Sequence, residues 1–187
     1  AVKNFILEKD INLDITLRIA RLLESKGWNV VLTRRTDVEP SLLERADAAN
    51  LVNSTVFISV PNNSFQEDNL SRSREFGTTV LYNASARQPA ADLARMIQDE
   101  LVQSTGTQRE VLQDRPKLVV LNSTWVPAVL TEGIMMPNPA NAKLILDRLQ
   151  RQRSAEAIVR ATETWYGKKV LAAKKTAPPT AQPAVTL

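Results

Sequence analysis

The spacing of apolar residues changes several times along the chain, and each change marks an element. Ile11, Ile15, Ile19, Leu22 and Leu23 recur at helical spacing, with Asp14, Arg18, Arg21 and Glu24 between them. That is an amphipathic helix, for which Asp10 or Asn12 suits the N-cap. Lys26 and Gly27 end it with a cation in the last turn and a C′ glycine. Asn29–Thr33 then reads as a buried strand. Ser41-Leu42-Leu43-Glu44 spells a capping box, opening a helix that reaches Asn50 or Val52 with Leu42, Leu43, Ala46 and Ala49 inward. Thr55–Val60 is a second strand, stopped by Pro61-Asn62-Asn63. The polar stretch 63–77 is long and irregular, the kind of loop that is either functional or mobile.

Thr78–Tyr82 reads as a third strand. Pro89 fits the first turn of a third helix, whose apolar face is Leu93, Met96, Ile97 and Leu101 and whose end is Thr105-Gly106. Leu118–Leu121 and Val126–Leu130 read as two more strands around an Asn122-Ser123-Thr124 turn. Leu144, Ile145 and Leu149 mark a fourth helix, and Ala155–Trp165 a fifth. Strands alternating with helices give an α/β class: a mostly parallel sheet with helices on both faces, in three layers. The expected domain is 1–166. Residues 167–187, rich in Lys, Ala and Pro and without periodicity, read as a disordered tail or linker.

Composition narrows the function classes. The chain has 187 residues, enough for one well-buried domain. Its formal charge of +4 suggests nucleic acid only until the charge is located. Lys168, Lys169, Lys174 and Lys175 lie beyond residue 166 with no acid among them, which leaves residues 1–166 neutral. Without a basic stripe or interleaved aromatics, nucleic-acid binding is disfavoured. No apolar run approaches the ~20 residues that span a bilayer, and no Gly-rich loop joins a strand to a helix as a nucleotide site requires. Cys is absent, excluding a disulfide scaffold or thiolate metal site. His is absent too, which removes the commonest acid–base residue and metal ligand together.

The stretch Trp125–Pro139 holds the most chemistry. Its apolar run stops at Thr131-Glu132-Gly133, followed by Met135 and Met136, which read as core filling. In an open α/β sheet, groups at the carboxyl ends of strands face the ligand crevice. Glu132 is therefore either a carboxylate at the rim of a site or a turn-capping residue, and the pattern alone allows both.

Several segments in register resemble the zinc-dependent N-acetylmuramoyl-L-alanine amidases, which cut peptidoglycan between muramic acid and the stem peptide. They are Glu8-Lys9-Asp10-Ile11-Asn12-Leu13, Leu32-Thr33-Arg34, Ser41-Leu42-Leu43-Glu44-Arg45 running to Ala49-Asn50, Ile58-Ser59-Val60-Pro61-Asn62-Asn63, and Pro127-Ala128-Val129-Leu130-Thr131-Glu132. The resemblance covers roughly residues 6–165. It implies an amidase fold, with Glu8 as a zinc ligand and Glu132 as the catalytic carboxylate that handles protons. It also implies two histidine ligands. Pro61 stands where one belongs, and the other sits in an opening Gly-His-Gly loop that this sequence lacks.

A catalytic zinc needs three protein ligands and an open position, so the expectation is an incomplete site. Zinc is then not held stoichiometrically, and hydrolysis is absent or strongly impaired; the alternative is a peptidoglycan-binding or regulatory module with the same fold. Asn62 and Asn63 do not substitute, because a neutral amide is a poor zinc donor. The implied partner is the peptidoglycan glycan–stem peptide strand, with the tail free to dock a wall-associated protein. Arg34 and Arg115 are candidates for an acidic stem peptide or plain solvated charges. The implied location is exported, in the periplasm or cell wall, as a form without its signal peptide.

Overall fold

The computed structural model describes residues 8–61, 77–132, 139–174 and 184–187. The element order is α1 (Glu8–Ser25), β1 (Asn29–Val31), α2 (Leu42–Leu51), β2 (Val56–Ser59), β3 (Thr79–Tyr82), α3 (Ala91–Thr105), β4 (Gln113–Asp114), α4 (Val119–Asn122), β5 (Ala128–Glu132), α5 (Pro139–Leu146), α6 (Arg148–Lys174) and β6 (Ala184–Thr186). The strands form one sheet in the order β1-β6-β2-β5-β3-β4. β1, β6, β2 and β5 run parallel, β3 is antiparallel to β5, and β4 is parallel to β3.

The α/β class follows from period-two alternation inside short apolar strands. Val56 and Ile58 face a core built by α1, α3, α5 and α6, where Ile11, Ile15, Ile19, Leu93, Ile97 and Ile158 are buried. Phe57, between them, faces the other side, against Ala49 of α2 and Val120 and Leu121 of α4. The capping box and the two helix-ending glycines hold as read, whereas Leu42 and Leu43, expected inward, are exposed, no cation falls in the last turn of α1, Pro89 precedes the α3 N-cap Ala90, and Leu149 belongs to α6. Ser41 caps α2 through a reciprocal box, its Oγ accepting from the Glu44 amide at 3.2 Å while its own amide donates to Glu44 Oε2 at 2.6 Å. Gly27 and Gly106 take left-handed φ of 84° and 72° at the ends of α1 and α3, where a Cβ would be strained.

Four further expectations are corrected. α1 is already under way at Glu8, so Asp10 and Asn12 lie within it and do not cap it. Leu118–Leu121 is not a strand: Leu118 is the N-cap of the single turn α4, which buries Val120 and Leu121. A four-residue apolar run carries no periodicity that separates strand from helix. β5 is shifted two residues along, so Glu132 is its last residue and not one beyond its end.

The largest correction concerns the tail. The expected boundary at 166/167 falls inside α6, which continues to Lys174. Tyr166 packs edge-on against Trp28 with ring centroids 5.0 Å apart, and Lys169 Nζ lies 4.7 Å from the centre of the Trp165 ring. Ala and Lys are strong helix formers, so a composition that suggests a linker suits a helix equally well. The chain then returns as β6 and enters the sheet between β1 and β2, with Val185 and Thr186 buried. The loop 63–76, Asn62, Met135 and Met136 lie outside the described residues.

Candidate functional site

The carboxyl ends of the four parallel strands lie along one edge of the sheet. Thr33 follows β1 there, Leu187 follows β6, Pro61 follows β2, and Glu132 closes β5. The amino end of α1 and the loop after β1 stand over this edge, leaving a cleft of about 670 Å³ lined by residues that include Glu8, Asn12, Arg34, Arg45, Pro61 and Leu187.

Glu8 is half-buried in the first turn of α1, and Asn12, one turn on, donates from Nδ2 to its Oε1 at 3.3 Å. The i, i+4 spacing sets both on one face. α1 is fixed against α6 by Asp14, which accepts from Arg18 Nε at 3.1 Å and Arg151 Nε at 2.5 Å. Partial burial pushes the Asp14 carboxyl up, but the hydrogen bonds from the two arginines outweigh it and hold it below its ordinary value. The loop after β1 is pinned to the same helix end. Lys9 Nζ pairs with Asp37 at 2.5 Å, and Arg34 Nη2 donates to the Lys9 carbonyl at 2.5 Å. The hydrogen bond between them raises the Lys9 pKa and lowers that of Asp37.

On the α2 side of the cleft, Arg45 donates from Nε to the Pro40 carbonyl at 3.1 Å. Burial, and secondarily the charge of Arg34, pull its pKa below the usual arginine value, with Glu39 acting in the other direction. Sequence reasoning missed Arg45 as a site residue. The signal was present: Leu42 and Arg45 are three apart, hence on one helix face, and both line the cleft.

The structure brings Glu8, Pro61 and Arg34 to one cleft, whereas Arg115 is tied to Tyr82 and Gln113 at the far side of the sheet. Glu132 is not among the lining residues, although Leu130, two earlier on the same strand face, is. Ser59 pairs with Leu130, so continuing the ladder by two residues sets Glu132 level with Pro61.

A mostly parallel sheet with helices on both faces and a polar cleft at the carboxyl edge define a three-layer α/β domain. The chain belongs to the N-acetylmuramoyl-L-alanine amidase family, whose sequence profile matches residues 1–164. It is 32% identical over 162 residues to the probable cell wall amidase LytH of Staphylococcus aureus, covering 86% of this chain and 50% of that protein. It is 28% identical over 166 residues to the N-acetylmuramoyl-L-alanine amidase LytC of Bacillus subtilis, covering 89% of this chain and 32% of that one. The chain thus spans 32% and 50% of the length of these relatives. Its fold superposes on the amidase AmiC2 of Nostoc punctiforme with a TM-score of 0.79 at 28% identity, covering 88% and 87% of the two chains.

The zinc implied by the family does not fit the residues present. The 187 residues contain no His and no Cys, and among the described residues no three of His, Cys, Asp and Glu converge on a point that would hold a metal. Pro61, on the cleft wall, carries no donor atom. Glu8, the ligand the resemblance implies, is met by Asn12, whose neutral amide is a poor zinc donor.

Proposed function

We propose that this domain engages the glycan–stem peptide strand of peptidoglycan in the cleft at the carboxyl edge of the sheet, without hydrolysing it at a useful rate. The reading places the protein outside the cytoplasmic membrane, at the cell wall. One observation carries it: Pro61 lines the same cleft as Glu8, in the position where the family resemblance calls for a metal-binding imidazole. The cleft otherwise keeps the lining of a site for a polar chain, with carboxylate, amide and guanidinium groups held by neighbours and not free in solvent. Glu132, under this reading, is a proton-transfer residue left without an activated water to act on.

A catalytic reading has one observation in its favour, the fixing of Glu8 by Asn12 within the cleft. The two readings separate in one experiment on purified peptidoglycan. Sedimentation measures binding, and the appearance of free stem peptide measures cleavage. Co-sedimentation without release is the expected result. Release of stem peptide at a rate comparable to a family member with its histidines would overturn it.

A further inference from the structure

The cleft wall carries two guanidinium groups whose fixed partners are all backbone carbonyls. Arg34 donates to the carbonyls of Lys9 at 2.5 Å and Thr36 at 3.4 Å, and Arg45 to that of Pro40 at 3.1 Å. A carbonyl orients an arginine but leaves its charge in place. Among the described residues no ion pair includes either group. The third cation of the wall, Lys9, is paired with Asp37, whose carboxylate also acts on Arg34 through space without an ion pair to it. Glu39 lines the same cleft and acts on Arg45 through space, yet forms no ion pair with it.

Arg45 is also placed against local preference. It sits in the first turn of α2, where the helix dipole disfavours a cation. It is half-buried, and the like charge of Arg34 is near enough to oppose it. An anion on the cleft side relieves all three costs. Arginine, with a planar fork of donors, is the side chain suited to a carboxylate.

We propose that Arg34 and Arg45 form a carboxylate-binding subsite, and, resting on the peptidoglycan reading above, that it takes an acidic residue of the stem peptide.

The test is calorimetric titration of the full chain with four probes. Two are N-acetylmuramoyl-L-alanyl-D-glutamate and its diamide; two are the glycan-free N-acetyl-L-alanyl-L-glutamate and its diamide. The acid forms should bind about tenfold more tightly than the diamides, the effect of a charge-assisted pair or two. Arg34→Gln and Arg45→Gln together should bring that ratio to near one. Arg115→Gln should leave it intact, and Arg45→Lys should keep part of it. Circular dichroism checks that each variant is folded; if Arg45→Gln is not, Arg34→Gln with Arg45→Lys carries the comparison.

A ratio near one in the parent chain, a ratio that survives the double substitution, or no binding of either acid probe overturns the subsite. Muropeptides that bind with no acid preference sink the subsite and keep the wall reading. Acid preference for the glycan-free pair, with muropeptides binding no better, keeps the subsite and sinks the wall reading.

Discussion

The hydroxyls of Ser54 and Thr186 share a hydrogen bond of 2.5 Å inside the protein, although 132 positions separate them in the chain. Ser54 precedes β2 and Thr186 lies in β6, so this bond ties the C-terminal strand into the middle of the sheet. Both side chains are buried. Ser54→Ala alone should cost about 1–2 kcal/mol by stranding the Thr186 hydroxyl. The double variant with Thr186→Val should cost clearly less than the sum, with a coupling of about 1 kcal/mol. Urea unfolding of the four proteins measures it, and simple additivity would show that the two hydroxyls do not depend on each other.

β6 is a structural member of the sheet, and the backbone bonds at its end say so: the Leu187 amide donates to Val31 at 3.0 Å, and the Thr33 amide to Leu187 at 2.9 Å. Val185 is fully buried between β1 and β2. Val185→Asp should therefore destabilise by about 3 kcal/mol or more through an unpaired buried carboxylate, whereas Val185→Ile, which adds one methylene, should cost about 1–3 kcal/mol by overpacking. An unchanged urea midpoint for the Asp variant would place β6 outside the cooperative core.

Asp14 links α1 to α6 through Arg18 and Arg151. Its folded pKa lies below the ordinary 3.8, so its stabilisation is fully present above that value and is lost as pH falls through the lower, folded one. Asp14→Asn should cost about 1 kcal/mol at neutral pH, a figure already reduced for solvent screening of a partly exposed group. The difference from the parent should close in the acid range beneath 3.8. A gap that persists there, or one that opens only at alkaline pH, contradicts the assignment.

Zinc retention tests the donor set directly. After incubation with zinc and dialysis, the chain should keep well under one equivalent by elemental analysis, because Glu8, met by a neutral amide, makes a weak site. Pro61→His should raise retention, since a neutral imidazole is a far better zinc donor than an amide. It should not by itself produce release of stem peptide from peptidoglycan. One equivalent held by the parent chain would show donors that the cleft description omits, and cleavage by the single variant would show that two ligands are enough.

The sequence by itself determined the α/β class, most of its helices, the strands β1, β2, β3 and β5, and the edge of the sheet that carries the candidate cleft. It did so because these are local properties. The capping box at Ser41 and Glu44, the glycines at 27 and 106, and the apolar runs ending at Pro61 and Glu132 each act within a few residues of themselves. The family resemblance was equally legible, since its segments are short and ordered. Tertiary structure alone decided three things. Leu118–Leu121 became a helical turn because α2 offers it a buried surface, not because of its own period. Ala184–Thr186 became a central strand because β1 and β2 leave their facing edges to be paired, and four residues after a Pro-rich stretch give no sign of that. Arg45 became a cleft residue because α2 packs with that face toward the carboxyl edge, where the α1 end and the loop after β1 bring Arg34 alongside. Each depends on contacts between segments far apart in the chain, and pairings of that kind are set by the assembled sheet.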